Sequence, residues 1–441
     1  IDPGHPSGTS KALNTPVLAL TAGEPAGIGP DLCIALSQQA LPCRVSVLGD
    51  IDVLRARAAR LCPARERQRI GGTEAMVSAP VHSPVDGEVA SIGQTLTTAG
   101  TRVAAVTIVP DELQHLDSFV RAEGADVRAL VRASGVVGMG GATFPSAVKL
   151  SPPKDAQVTT VILNGCECEP YLTCDDRLMV ESADRVVRGA EIIRDAIGAT
   201  RAVIALEDNK PDAAAALRGA AASGIEVLAL PTRYPQGAEK QLIWAILRTE
   251  VPHGKLPAAA GALVHNVATA AAIADAVEHG KPVTERVVTV TGAVARPGNY
   301  RVLIGTLISD LIETAGGLTG EVARVIAGGP MTGQALGTLD VPVTKGTSGV
   351  VALRPEEAAR TLDGDQPCIR CGRCPEACPM SLEPFAIANY ANRRDWTKAE
   401  AYRPVDCIEC GACSYVCPTG RPLVQLIRLA KAAAMAKGAK L

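Results

Sequence analysis

CIRCGRCPEACPM, residues 368–380, returns 39 positions later as CIECGACSYVCPT, residues 407–419. Each copy reads C-x2-C-x2-C-x3-C-P. Three thiolates on one tight turn can hold three irons of a cubane, while the fourth, a helical turn on, points to the neighbouring cluster. The spacing therefore assigns Cys368, Cys371, Cys374 and Cys417 to one 4Fe-4S cluster, and Cys407, Cys410, Cys413 and Cys378 to a second. A four-cysteine zinc site wants two C-x2-C pairs separated by a loop, and the third cysteine comes too soon in both copies. Disulfides fit less well, because no signal peptide marks the chain for export. Clusters that share crossed ligands are held close together, so this region reads as an electron wire.

The chain has 441 residues, 47% hydrophobic and 20% charged, enough apolar material for about three domains with buried cores. No apolar run reaches the roughly 18 residues of a membrane span. A formal charge of −2 and 2% aromatic residues argue against a nucleic-acid partner. Six cysteines lie outside the cluster motifs, and Cys33, Cys43 and Cys62 among them read as ordinary buried thiols.

Residues 1–15, rich in Gly, Pro, Ser and Thr, read as a flexible leader, and residues 16–65 as one β-α-β unit. Residues 66–115 are rich in Val, Pro and Gly, with a turn at Asp86-Gly87 between β segments. Within 116–284, the strands TTVILNG, RAVIALED and IEVLALP alternate with the helices DRVVRGAEIIRDAI and PDAAAALRGAAAS. That alternation predicts a parallel sheet covered on both faces. Residues 285–355 turn strand-rich again, 356–430 hold the cluster motifs, and 431–441 form a basic tail. Five basic residues and no acidic one follow Thr419, which suits a solvated helix capping the cluster region or, as the alternative, a docking helix for acidic lipid or a partner.

Two further stretches suggest a binding site. VVGMGGATFPSAVKL, residues 136–150, places Gly138, Gly140 and Gly141 in a loop ahead of Lys149, where backbone N–H groups can approach a phosphate or a ring system. The strand VTTVILNG runs into CECEPYLTCDDR, which collects Asn164, Glu167, Glu169, Asp175 and Asp176 at a carboxyl end, where ligands of open α/β sheets bind.

GMGGATFPSAVKL followed by ILNGCECEPYLTCDDRLM resembles the C subunits of the Rnf complex, a membrane-bound, ion-translocating NADH:ferredoxin oxidoreductase, and is more distantly similar to the flavoprotein subunit of respiratory complex I. The resemblance covers about residues 70–441. It implies a multidomain α/β and α+β chain: a barrel-sandwich hybrid segment, an FMN/NADH domain, a β-grasp domain and a ferredoxin-type domain with two 4Fe-4S clusters. It implies that Gly138, Gly140, Gly141, Lys149, Asn164 and Glu167 line FMN, that Glu169 faces the nicotinamide dinucleotide NAD(H), and that Phe144 stacks on the NADH rings. RYPQGAEKQLI and VHNVATAAAI resemble two more family stretches, which adds Gly237, Glu239, His265, Asn266 and Thr269. Met139, Thr143 and Ala238 stand where the flavoprotein pattern has Arg, Gly and Glu.

The implied role is that of a peripheral subunit on the cytoplasmic face of the inner membrane. It would pass electrons from NADH through FMN to the clusters and on to other Rnf subunits, including membrane subunits and an iron–sulfur subunit, with ferredoxin served indirectly. The alternatives are a soluble flavin/iron–sulfur cobalamin reductase and an electron-transfer adaptor without flavin. TAGEPAGIGPDL, residues 21–32, resembles instead the start of 4-hydroxythreonine-4-phosphate dehydrogenase, over about residues 16–61 only. That reads as a fusion, a frame error or an assembled sequence, without dehydrogenase activity. RARAARLCPARERQRIGG shows no version of the family's own N-terminal segment.

Overall fold

The computed structural model describes residues 17–21, 44–48, 69–71, 78–112, 114, 119, 121, 124–153, 156–221, 223–358 and 366–436. The expected leader, the helix expected between residues 21 and 44, and Cys33, Cys43 and Cys62 lie outside them. The strands flanking that helix, β1 (Val17–Thr21) and β2 (Arg44–Leu48), pair in parallel, as one β-α-β unit requires.

β3 (Arg69–Gly71) pairs antiparallel with β4 (Val81–His82), and β5 (Gly87–Leu96) forms a long hairpin with β6 (Arg102–Pro110). The next unit begins with α1 (Val127–Ala133), whose first turn Asp126 caps by accepting from the Ala129 amide, and the short α2 (Ser146–Lys149). Its sheet has the order β10-β7-β8-β9, all parallel, from β7 (Thr160–Gly165), β8 (Arg201–Glu207), β9 (Ile225–Leu230) and β10 (Ala262–Asn266). β8 is buried from Ala202 to Glu207, as a parallel strand covered on both faces should be.

The covering helices are α3 (Cys174–Glu181), α4 (Ala183–Ile197), α5 (Pro211–Ala220), α6 (Glu239–Leu247) and α7 (Val267–His279). α4 buries Ala183, Val186, Val187, Ala190 and Ile193, one face of a 3.6-residue repeat, and stops at Gly198 in the left-handed region. It crosses α7 so closely that a Cβ on Gly189 would lie 2.1 Å from the Ala270 carbonyl oxygen, and only glycine permits that approach.

A second sheet, of order β12-β11-β15-β13-β14, joins β11 (Glu285–Gly292), β12 (Gly298–Leu303), β13 (Arg324–Ala327), β14 (Gln334–Ala335) and β15 (Gly349–Leu353). Its core of Val288, Val290 and Val350 packs on Ile308, Leu311 and Ile312 of α8 (Ile308–Thr314). Two buried cations tie this unit to its neighbours. The Lys345 ammonium donates to the Pro80 carbonyl (3.0 Å) and the Gly135 carbonyl (2.7 Å), so it touches the hairpin unit and the four-stranded unit at once. The Arg286 guanidinium donates to the Lys345 carbonyl (2.5 Å) and the Met139 carbonyl (3.4 Å).

After α9 (Pro355–Ala358) come α10 (Arg373–Glu376), α11 (Pro384–Asn392), α12 (Trp396–Ala401), α13 (Ala412–Tyr415) and α14 (Leu423–Ala436). Of the basic segment expected at 431–441, residues 431–436 continue α14 and the rest lies outside the described residues; the Lys431 ammonium donates to the Cys407 carbonyl (2.9 Å) and Glu409 (3.0 Å). Among the described residues no helix is long and apolar enough to cross a membrane.

Candidate functional site

β7 and β10 lie side by side with Asn164 opposite Asn266, so two strand ends deliver their polar residues to one edge of the sheet. The chain enters that edge through the glycine-rich loop. The Gly138 amide donates to the Phe144 carbonyl (2.8 Å) and the Thr143 amide to the Gly138 carbonyl (3.1 Å), which closes residues 138–144 on themselves. Gly141 has φ +120° with open space where a side chain would be. Thr143, where the family pattern has glycine, has φ +49°, a conformation glycine favours.

Three groups of expected residues meet around this loop. Lys149 pairs with Glu239 (2.9 Å) and donates to the Val264 carbonyl (3.0 Å). His265, the next residue, is buried, and burial with nearby Lys149 lowers its pKa to about 3, so it is neutral. Among the described residues, His265 Nε2 and Ser146 Oγ on α2 are buried without a hydrogen-bond partner. In the second group, Asn164 donates to the Gly237 carbonyl (2.8 Å), and the Gly237 amide donates to the Cys168 sulfur (3.3 Å). In the third, Asn266 caps α7 by accepting from the Ala268 amide (2.9 Å) and donates to Asp175 (2.6 Å). It also packs where a side chain on Gly140 would stand, at 3.3 Å. Thr269 accepts from the Met139 amide (2.9 Å), and the Met139 side chain, where the pattern has Arg, is buried in the core.

The two glutamates turn elsewhere. Glu167, with φ +47°, accepts from the amides of Asp175 (2.7 Å) and Asp176 (3.0 Å) at the start of α3. Burial and nearby Asp175 push its carboxyl up to about 7. The Glu169 carboxylate accepts from the amides of Met331 (3.0 Å) and Thr332 (2.7 Å) and from the Thr332 hydroxyl, all in the loop between β13 and β14. Phe144 is half exposed on the glycine-rich loop.

The same corner reaches the end of the first cysteine motif and the loop of the second. The Tyr234 hydroxyl donates to the Cys410 carbonyl, Gln241 donates to the Pro379 carbonyl (3.0 Å), and His253 meets Asp406 (2.6 Å). A Cβ on Gly411 would lie 2.5 Å from the Met331 carbonyl oxygen. Within the motifs, Cys374 lies near Cys368 and Cys417, while Cys413 lies near Cys407, Cys410 and Cys378; burial and then these neighbours raise both thiols. The grouping follows the crossed pattern of the spacing.

Several contributors escaped the sequence reading. Tyr234 sits inside a stretch singled out for its neighbours, and Arg286 occupies the inward phase of β11 together with Val288 and Val290. That alternation was the only signal that could have found Arg286.

Four family models match the chain: the RnfC barrel sandwich hybrid domain at residues 64–113, the Nuo51 FMN-binding domain at 131–275, the SLBB domain at 287–335 and the 4Fe-4S dicluster domain at 367–421. The first spans nearly the segment expected at 66–115 and begins two residues ahead of it, inside RARAARLCPARERQRIGG.

The C subunit of the Na(+)-translocating ferredoxin:NAD(+) oxidoreductase complex of Acetobacterium woodii is 45% identical over 82% of this chain and 84% of its own length. The C subunit of the proton-translocating complex of Clostridium ljungdahlii is 43% identical over 85% and 84%, and that of the ion-translocating oxidoreductase complex of Rhodobacter capsulatus is 44% identical over 82% and 72%. Among solved structures, an NAD+-reducing NiFe-hydrogenase in the H2-reduced state matches with a TM-score of 0.50 and 22% identity, over 69% of this chain and 62% of that one. That match shows the fold alone.

Proposed function

Because the chain belongs to the family of C subunits of ion-translocating ferredoxin:NAD(+) oxidoreductase complexes, we propose that it is the NADH-oxidising electron-input subunit of such a complex. It passes electrons from NADH through FMN to two 4Fe-4S clusters and on to membrane partners. It sits peripherally, on the cytoplasmic face of the inner membrane.

FMN, when bound, takes a hydride as a pair and gives electrons up singly, the conversion needed between a nicotinamide and one-electron clusters. The chain's own residues bind and orient, and none acts as nucleophile. Lys149 supplies positive charge; Gly138, Gly140 and Gly141 keep the loop low; and Asn164, Gly237, Glu239, Asn266 and Thr269 fix the backbone around it. The two orphaned polar atoms, on His265 and Ser146, support a bound polar group here, since buried polar atoms are rarely left unpaired.

One observation carries the reading. The residues around Gly237 and the loop of the second cluster motif are joined within a single packed corner, through Tyr234 and Cys410. This supports the cluster of Cys407, Cys410, Cys413 and Cys378 as the one nearer the flavin, with the other as the outlet.

Anaerobic stopped-flow mixing of the reconstituted chain with NADH tests the proposal. The expected result is flavin bleaching followed by cluster bleaching, with about eight irons and one flavin per chain. Clusters without flavin, or a flavin inert to NADH, would refute it.

A further inference from the structure

The two cysteine motifs repeat in backbone as well as in sequence. Arg370 and Glu409 share φ values of +55° and +57°, and Gly372 and Gly411 share +80° and +77°. A four-residue helix follows each glycine. Equivalent positions can therefore be compared directly, and their surroundings differ sharply.

The second loop is enclosed by the chain itself. Glu409 pairs with Arg428 (2.8 Å) and Lys431 (3.0 Å), the Cys410 carbonyl takes the Tyr234 hydroxyl, Gly411 lies under Met331, and Ala412 is buried. The first loop meets nothing comparable. Ile369 is 62% exposed, and Arg370, Cys371, Gly372 and Arg373 are all exposed. An added side chain at Gly372 would meet no atom within 4 Å. Neither Arg370 nor Arg373 has an ion pair or a side-chain hydrogen bond among the described residues.

We propose that the open loop Cys368–Arg373 is the docking surface for a redox protein whose own centre lies beneath an acidic face. The inference rests on the electron-input reading above. If the enclosed copy takes electrons from the flavin side, the open copy is where they leave, or enter when the flow reverses. The chemistry of the loop selects the partner. An exposed isoleucine flanked by two free guanidinium groups is an apolar anchor with a cationic rim, which carboxylates on an opposing surface complement. This local charge runs against the chain's net −2, so it attracts partners that the molecule as a whole would not. In the enclosed copy the position of Arg370 is held by Glu409, which finds its cations within the chain; Arg370 has to find its anion outside it.

The test uses the full chain with clusters and flavin, and a reduced, acidic 2Fe-2S ferredoxin as the probe, mixed anaerobically while cluster reduction is followed. Electron exchange should slow as salt is raised. Arg370→Glu with Arg373→Glu should slow it at low salt by about tenfold or more, and Ile369→Ser by a smaller factor. Arg218→Glu, an exposed reversal on the flavin domain, should leave it unchanged. Iron content and NADH-driven cluster reduction, measured on the same samples, should match the unmodified chain, which excludes misfolding. Because the ferredoxin loads the clusters directly, failure of NADH to reduce the chain would count against the electron-input reading without touching this result. Equal exchange rates for the double variant and the unmodified chain would overturn the proposal. So would an equal effect of Arg218→Glu, or a loop that governs sedimentation with anionic vesicles and not exchange with the ferredoxin.

Discussion

Replacing Glu169 by Gln separates two roles for one carboxylate. The family resemblance implies that it faces the nicotinamide dinucleotide; its contacts make it the seat of the Met331–Thr332 loop. Three donors converge on it: two amides and the Thr332 hydroxyl. Hydrogen bonds to a charged group contribute about 1.5–3 kcal/mol each when shielded. Thr332 is exposed, so water replaces part of what its two donors lose, and the sum falls to about 2–3 kcal/mol. Glutamine keeps the shape but turns one acceptor into a donor that faces a donor.

The population of the undocked loop should then rise by about 30- to 150-fold, since 1.4 kcal/mol is a factor of ten. Met331 also covers Gly411 in the second cluster loop, so the disturbance falls on the step between flavin and cluster. Stopped-flow mixing with NADH reads the two steps separately. Flavin bleaching should stay within about twofold of the unmodified chain, while cluster bleaching slows. Gly329→Ala, whose new Cβ would lie 2.2 Å from Glu169 Oε2, should reproduce the effect with the carboxylate intact. If E169Q instead slowed flavin bleaching tenfold and left the cluster step alone, the carboxylate would belong to the nicotinamide site.

Tyr234→Phe deletes the hydroxyl on the Cys410 carbonyl and should slow flavin-to-cluster transfer without changing iron content, read in the same trace. Gly189→Ala forces a methyl group against the Ala270 carbonyl and should destabilise the flavin domain by about 1–3 kcal/mol, seen as a lower urea midpoint. Lys345 is buried, and burial lowers its pKa to about 7 from an ordinary value near 10.5. Between those values the unfolded chain binds the extra proton, so its contribution to stability rises with pH, by up to about 1.4 kcal/mol per unit. Urea midpoints of the unmodified chain and Lys345→Met, compared from pH 7 to 9, should diverge in that direction; parallel curves would show that Lys345 does not titrate there. Arg286→Met should weaken flavin retention, measured by equilibrium dialysis, because the Met139 carbonyl of the glycine-rich loop loses its donor.

How far the sequence could be read depended on how local each signal was. The cluster cysteines were legible because their spacing is itself the ligand geometry. β7, β8 and β9 and the helices between them were legible because each is a short periodic run, and β7, β9 and α4 stop at or beside Gly165, Pro231 and Gly198. Glu167 and Glu169 were visible as acidic residues at a strand end, but not what they hold. The donors to Glu169 lie more than 160 residues away in another sheet, and nothing around Met331 announces them. The basic segment at the end was legible only as a helix capping the cluster region: its composition could not show that Lys431 donates to the carbonyl of a cysteine 24 residues earlier.

The buried ammonium of Lys345 bears on how such a chain could have been put together. Sequence matching divides it into units with clean borders, as though each could be cut out and reused. One side chain of the second-sheet unit, Lys345, lies beyond the SLBB match at 287–335 and satisfies carbonyls in two other units, and Arg286, just ahead of that match, holds the loop that opens the flavin site. A flavin domain excised at residues 131–275 would leave the carbonyls of Gly135 and Met139 without their donors. The borders are therefore lines of descent and not lines of cleavage. A graft from a relative would have to carry all three units together to keep its flavin loop in shape.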